Sequence, residues 1–383
     1  MPTEAEPLRK RSKGCGMDET KKKYFEYDYL LLVPTLLLLG LGLVAIYSAS
    51  SFLAEHRMGD SYYFLKRQGM FCLVGVCFMI FTKNIPSTVY PRLVYPFLGI
   101  SLLLLVLLLV PGVGAKVGGA SRWFRIAGFS FQPSELAKLA LAFYVAYSIA
   151  KKGPIMSSFS NGLVPHLVVA GVFMGLILLQ PDLGTTIIIG CWLVILLFVG
   201  GVNVLHLVGL MLLSLPAVLW LVHKADYRLK RWWAFLNPWD DPQGLGFQII
   251  HSFLAIGSGG VLGVGLGNSK QKLFYLPEPH TDFILSIVAE ELGLVGLVVI
   301  VALFGVLVVR GIQVALRAPD LYSTYLALGI TSFLALQVMI NMGVVMGLLP
   351  TKGLTLPFIS YGGSSLVISL VSVGILLNIS SRR

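Results

Sequence analysis

The sequence predicts an all-α polytopic membrane protein with about ten transmembrane helices. Both termini are expected in the cytoplasm, with a large extracytoplasmic loop between helices 7 and 8. Three observations carry this expectation. Of 383 residues, 56% are hydrophobic and only 12% charged, with a mean hydropathy of +0.83, whereas a soluble domain averages about 25% charged residues. Apolar runs long enough to cross a ~30 Å hydrocarbon core as helices recur along the chain. The basic residues are divided unevenly between the intervening loops.

Residues 1–28 form a charged tail, read as a disordered cytoplasmic segment. The apolar run behind it is long enough to span, so no cleavable signal peptide is expected. The ten runs are about 29–49, 68–82, 94–111, 134–150, 163–179, 183–200, 204–222, 290–310, 322–348 and 365–379, and 380–383 is the cytoplasmic end of a single transmembrane domain, 29–379. The second and last runs are short, and 163–200 is divided only by Gln180-Pro181-Asp182.

With the N-terminus inside, the cytoplasmic segments hold fifteen Lys and Arg residues, from Arg9 to Arg383, and the short outside loops hold seven, from Arg57 to Lys352. The long loop, 223–289, is left out of such a count. The overall charge of +11 therefore reads as an orientation signal with affinity for anionic lipid. No folded basic domain is present, which argues against nucleic-acid binding. Cys72, Cys77 and Cys191 lie in apolar runs and Cys15 in the tail, so no disulfide framework is expected. The six histidines lack metal-ligand spacing, which argues against a structural zinc site.

Three outside segments depart from plain connector composition: 112–133, 223–289 and 350–364, together with Lys66-Arg67-Gln68 before the second run. Each of the three is dense in glycine and proline. Irregular backbone of this kind is tolerated in a membrane protein only where protein or water satisfies its polar groups. Their convergence on one side predicts a single site on the outer face. Within the long loop, Phe247, Ile250, Phe253 and Leu254 recur at helical spacing and predict a short helix, either interfacial or packed on the surface. The Gly-x-Gly-x-Gly at 263–267 lacks the strand–turn–helix context and the Lys-Ser/Thr ending of a phosphate loop, so tight turning is the better account.

Several ionisable residues in these segments are candidates for chemistry. Asp282 immediately precedes an apolar helix, where an acid both caps and is kept ionised by the helix dipole, as a general base or metal ligand requires. Glu135 and Lys138 follow Pro133 at the start of the fourth run; the proline and acid suit helix initiation, and the i,i+3 pair can neutralise itself. Ionisable residues entering a span usually face a cavity, however. Asp182 is either a turn acid or part of the site. Lys352 sits between Pro350 and Pro357 on backbone that cannot be continuous helix, and suits a phosphate or pyrophosphate ligand. Arg67, Arg122, Arg125 and Arg231 extend the positive potential; singly each reads as a headgroup anchor, and together they point to an anionic amphiphile bound from the outer leaflet.

These segments also carry a resemblance. Gly119-Ala120-Ser121-Arg122-Trp123, Phe131-Gln132-Pro133-Ser134-Glu135-Leu136-Ala137-Lys138 and Gln180-Pro181-Asp182-Leu183-Gly184-Thr185-Thr186 resemble the SEDS family (shape, elongation, division and sporulation). So do the run Tyr275–Asp282 with Ala289-Glu290-Glu291-Leu292-Gly293, and Phe358-Ile359-Ser360-Tyr361-Gly362-Gly363-Ser364-Ser365. The likeness extends from Asp28 to Ile379. Pro350-Thr351-Lys352-Gly353-Leu354-Thr355 and Phe235-Leu236-Asn237-Pro238-Trp239 are similar to its division branch; one departure is Pro279, where the family more often has alanine.

The resemblance implies a peptidoglycan glycosyltransferase that polymerises lipid II into β-1,4 glycan strands on the outer face of the cytoplasmic membrane, at the division septum. It implies partnership with a cognate class B penicillin-binding protein and other division-complex proteins. The acid matching Asp282 is implied to be catalytic, as general base or as ligand of a divalent cation (Mg²⁺ or Mn²⁺), with no organic cofactor. Arg67, Arg122, Gln132, Glu135, Lys138, Asp182, Arg231 and Lys352 are assigned to substrate binding. The alternatives are a lipid II flippase or transporter, which ten helices with intramembrane charges would also suit, and a scaffold that recruits a transpeptidase.

Overall fold

The structure is a computed structural model that describes residues 27–117, 120–126, 129–244, 246–272 and 279–382. The basic tail before Tyr27, Gly119 and the stretch 273–278 of the long loop lie outside the described residues. Chain order runs α1 (Tyr29–Met58), α2 (Tyr63–Asn84), α3 (Val89–Leu107), β1 (Ala115–Val117), β2 (Ala120–Ile126), β3 (Phe129–Phe131), α4 (Pro133–Lys152) and α5 (Val164–Leu179). It continues with α6 (Leu183–Val199), α7 (Val204–His223), α8 (Asp226–Leu236), α9 (Phe247–Gly259), α10 (Ile284–Leu316), α11 (Leu321–Val345) and α12 (Gly363–Ser380). Each apolar run of the sequence is occupied by a helix. Among the described residues, eight helices are long and apolar enough to cross a membrane. α4, with its ion pair, and the 17-residue α6 pack among them. The protein is a multi-pass, membrane-embedded helical bundle.

Small residues let the central helices approach closely, as packing without a hydrophobic drive between helices requires. α4 buries Ala137, Ala140, Ala142 and Ala146. α12 is buried along most of its length and packs chiefly on α2. α6 is joined to α11 by Trp192, fully buried, whose ring stacks on Phe333 at 4.2 Å between centroids and whose Nε1 donates to Gly329 O at 2.8 Å. α7 is the opposite case: Leu205, Leu212, Leu213 and Trp220 are all more than half exposed, an apolar surface suited to lipid.

The bundle has two distinguishable ends. At one, Arg310 Nε donates to both carboxyl oxygens of Asp28 at 3.0 Å, Lys83 lies over the Tyr27 ring, and Arg382 Nη2 donates to Ile85 O at 2.9 Å. At the other lie the three segments singled out by composition.

Three features differ from the sequence expectation. The 112–133 segment is not plain loop: β1, β2 and β3 form a three-stranded antiparallel sheet with Ala115 opposite Trp123 and Phe124 opposite Phe131. The long loop holds two helices, α8 and α9, and α9 matches the helix expected from Phe247 onward, seated on α10 with Ser252 Oγ 2.7 Å from Ser286 Oγ. Finally, α10 starts at Ile284, just past Asp282 as expected, but takes in residues ahead of the apolar run at 290–310 and is broken at Gly293 (φ +64°, ψ −162°). Glu290 and Glu291, at the start of that run, are both buried against protein rather than lipid. The glycines at 263, 265 and 267 all have φ near +90°, which supports turning as their role.

Candidate functional site

Asp182 is the N-cap of α6: Oδ1 accepts from Thr185 N at 3.1 Å and Oδ2 from Thr185 Oγ1 at 2.8 Å. Its capping role and its place in the site coincide, because both of its neighbours are cationic. Alternation along β2 turns Arg122 inward with buried Phe124 and leaves Arg125 exposed. Arg122 Nε then donates to Gln180 O at 3.0 Å, and Nη2 to Pro181 O. Gln180 is held in turn by its Nε2 bond to Leu105 O at 3.1 Å.

Lys352 reaches the same turn from the other side. Its Nζ is 4.0 Å from Asp182 Oδ1 and, although buried, has no hydrogen-bond partner among the described residues. Burial pushes this ammonium down to about 7, against the pull of Asp182. For Asp182, burial acts upward, but Lys352 and Arg122 outweigh it and hold the carboxyl below the usual range. An ammonium without hydrogen bonds in a low-dielectric site is costly, and an anion would offset that cost.

The next residue, Gly353, lies against Asp282: a Cβ built on it would stand 2.7 Å from Asp282 Oδ2. Asn341 Nδ2 ties the two strands of backbone together, donating to Asp282 O at 3.1 Å and to Leu354 O at 2.6 Å. α10 begins at Ile284 with Phe283 in the N-cap position, so Asp282 precedes the cap rather than occupying it.

Glu135 and Lys138 form a buried pair at 2.8 Å, as their spacing suggested. Lys138 Nζ also meets Gln337 Oε1 at 3.4 Å, and Gln337 Nε2 donates to Thr355 O at 3.4 Å. The pair lines a cavity between α4, α11 and α12 with room for about 30 Å³ of water-sized molecules, enough for roughly two waters. Gln132 contributes its backbone, N donating to Ser364 Oγ at 3.0 Å while Ser364 Oγ donates to Ser130 O at 3.1 Å. Buried Gln68 fastens the far side: Nε2 donates to Ser360 O at 3.2 Å and Oε1 accepts from Gly362 N at 3.3 Å. Arg67 lies 4.7 Å over the Tyr63 ring, and its charge is felt by the Tyr361 hydroxyl. Burial pushes His280, packed on Phe64 and Tyr361, down to about 4, so its ring is neutral at physiological pH.

The structure therefore brings Arg122, Glu135, Lys138, Asp182, Asp282 and Lys352 around the coil 350–357, with Gln132 and Arg67 on its margin. Arg231 is not brought in: it is exposed on α8, which packs mainly on α7 and on the short 3₁₀ turn Pro238–Asp240. Gln180, Gln337, Asn341, Gly184 and Gly353 were missed in the sequence. Gln337 and Asn341 had a signal, since they stand i,i+4 in an otherwise apolar helix and so share a face. A divalent cation fits the site only sparsely. Among the described residues no three His, Cys, Asp or Glu side chains converge, so Asp282 would hold it with at most one further such side chain and substrate phosphates would supply the remainder.

Residues 29–383 match the FTSW_RODA_SPOVE family of cell cycle proteins. The chain is 49% identical over 361 residues to the probable peptidoglycan glycosyltransferase FtsW of Geobacter metallireducens, spanning 94% of this chain and 96% of that one. It is 49% identical over 355 residues to stage V sporulation protein E of Bacillus subtilis, spanning 92% and 96%. Among solved structures, it is similar to a chain of a peptidoglycan synthase complex, described as coordinating polymerization and crosslinking (TM-score 0.77, 34% identity, 93% and 98% covered). It is also similar to the rod shape determining protein RodA of Thermus thermophilus (TM-score 0.70, 31% identity, 93% and 97% covered).

Proposed function

The chain belongs to the FtsW/RodA/SpoVE family of cell cycle proteins, and from that premise we propose that it is a peptidoglycan glycosyltransferase of cell division, polymerising lipid II on the outer face of the cytoplasmic membrane. One observation carries the reading beyond the family. A buried ammonium without a hydrogen bond among the described residues, Lys352 Nζ, is followed directly by the glycine on which the Asp282 carboxyl rests. An anion subsite and a proton acceptor are thus set side by side on one strand of coil.

The reaction uses both. The 4-hydroxyl oxygen of an acceptor N-acetylglucosamine attacks the anomeric carbon of the donor. As that C–O bond forms, the bond from the anomeric carbon to the pyrophosphate oxygen breaks. The hydroxyl proton passes to an Asp282 carboxyl oxygen, a contribution worth ~10²–10⁴-fold. Undecaprenyl pyrophosphate departs with the electron pair, and its charge is met by Lys352 and Arg122, fixed in place before the reaction. Asp182 pairs with Lys352, the carbonyls of Gln180 and Pro181 hold Arg122, and Glu135 holds Lys138 at the adjoining wall. Attack from the face opposite the leaving group inverts the α-linked donor to a β-1,4 product. A Mg²⁺ or Mn²⁺ ion held by Asp282 and the pyrophosphate would supply further positive charge there.

The basic end of the bundle, with Lys83, Arg310 and Arg382, faces the cytoplasm in this reading, and the site faces outward at the septum. Crosslinking of the product falls to a class B penicillin-binding protein in the same complex. The test is purified protein, with and without that transpeptidase, given fluorescent lipid II and Mg²⁺ or Mn²⁺, with products resolved on a gel. Wild type is expected to yield long glycans and Asp282→Ala none. A folded Asp282→Ala protein that polymerises at the wild-type rate overturns the proposal.

A further inference from the structure

Away from the site, Glu290 and Glu291 of α10 are only 2% and 3% exposed. Buried acids in a membrane protein are costly and are kept where they are paired. Glu291 Oε1 accepts from Ser48 Oγ of α1 at 2.6 Å, from Lys272 Nζ at 3.1 Å and from Ser269 N at 3.4 Å. Glu290 accepts from Lys270 N at 3.0 Å, from Gln271 N at 3.4 Å and from Ser269 Oγ. Lys272 Nζ completes the cluster with Ser48 Oγ at 3.1 Å and Gly267 O at 2.6 Å. Among the described residues, every hydrogen bond to the two carboxyl groups comes from a donor.

This cluster sits at a broken joint. The backbone freed where α10 breaks at Gly293 is taken up by the glycine-rich loop: Val264 N donates to Glu290 O, Gly265 N to Glu291 O and Leu294 N to Gly260 O, each at 3.0 Å. The approach is so close that a Cβ on Gly293 would stand 2.4 Å from Gly263 N. Ile284–Leu292 is thus a separate helical piece. Its C-terminal end is gripped by this cluster, and Asp282 lies just before its N-terminal end. Nine residues of helix make a rod about 13 Å long, so a ~10° tilt at the joint moves the far end by about 2 Å. A misplacement of about 1 Å can cost ~10²-fold in rate.

We propose that Glu291 and Lys272, with Glu290, are positioning residues: a buried latch that sets the tilt of the Ile284–Leu292 piece and so aims Asp282 at the acceptor hydroxyl. The proposal rests on the polymerase reading of Asp282. The latch acts through the rod and touches no substrate.

The experiment compares wild type, Glu291→Gln and the double variant Glu291→Gln/Lys272→Met, each full-length and in complex with the transpeptidase. Lipid II polymerisation is followed against substrate concentration, alongside thermal stability and hydrogen exchange of amides 280–286. Glu291→Gln is expected to lower kcat 10- to 100-fold with KM within twofold, and to speed exchange at 280–286 at least tenfold. The double variant, which removes the Lys272 ammonium left without its carboxylate, is expected to regain stability while kcat stays low. A double variant whose kcat recovers together with its stability overturns the proposal, as does unchanged exchange in Glu291→Gln. Exchange needs no turnover, so a wild type that makes no glycan while its exchange responds to Glu291→Gln overturns the polymerase reading and not the latch.

Discussion

The Lys352 side chain lies directly across Gly184: a Cβ on that glycine would stand 1.8 Å from Lys352 Cε and 2.4 Å from Nζ. Because Gly184 is the second residue of α6, its backbone conformation is ordinary and only its lack of a side chain matters. Gly184→Ala is therefore expected to fold but to push Lys352 off Asp182. Its KM for lipid II should rise about tenfold, equivalent to losing ~1.4 kcal/mol of binding, with kcat less affected. Steady-state polymerisation against lipid II concentration measures this, and an unchanged KM would show that Lys352 does not need its present position.

Gly353→Ala makes the complementary test on the acid. The added methyl meets Asp282 Oδ2 at 2.7 Å, a contact that the carboxyl relieves by rotating away. We expect kcat to fall about tenfold while KM moves little, a smaller loss than the ~10²–10⁴-fold expected for removing a general base. Single-turnover rates at saturating lipid II separate the two effects.

Lysine protonation gives a pH signature. With Lys352 lowered to about 7, its ammonium fraction falls as pH rises from 6 to 8. Asp182 stays ionised across that window, held down by Lys352 and Arg122 against the effect of burial. Pyrophosphate affinity should then weaken with rising pH, by up to about tenfold per unit above 7, and Lys352→Arg should flatten the profile. The stability sign is opposite. A lysine whose folded value lies below its ordinary 10.5 binds fewer protons folded than unfolded between about 7 and 10.5. Stability therefore rises with pH through that window, and the burial penalty is fully present below it. Thermal unfolding of wild type and Lys352→Met at pH 6 and pH 9 tests this: the pH gain should be absent from the variant.

The buried pair Glu135–Lys138 separates stability from activity. Glu135→Gln leaves the Lys138 ammonium at the cavity without its carboxylate partner. Breaking a buried pair from one side costs about 3–5 kcal/mol, whereas replacing both partners is often near neutral. Glu135→Gln should lower Tm strongly, and Glu135→Gln/Lys138→Met should recover it while remaining slow in polymerisation. Recovery of both quantities would make the pair structural only.

Much of the bundle was legible because hydrophobicity in a membrane is a one-dimensional constraint. Long apolar runs must be helices, since lipid offers no partners for backbone groups. The errors fall where protein replaces lipid as the surroundings. Glu290 and Glu291 open the apolar run at 290–310, where residue type alone shows no partner for them; donors from Ser48, Lys272 and the backbone at 269–271 make them interior residues. The β1–β3 sheet was read as loop because its strands are short and interleaved with glycine, and their pairing is a contact between segments.

The sequence by itself determined the helical membrane class, the family and the acids and cations that compose the site, because each rests on residue type and local order. Only the tertiary structure decided which of those residues meet. It turned Arg122 inward and Arg125 outward, left Arg231 exposed on α8, and set Lys352 across Gly184 and Gly353 against Asp282. These are distances between segments far apart in the chain, set by how closely backbones pack. A glycine that admits a lysine from across the bundle shows its reason only when that lysine is in place.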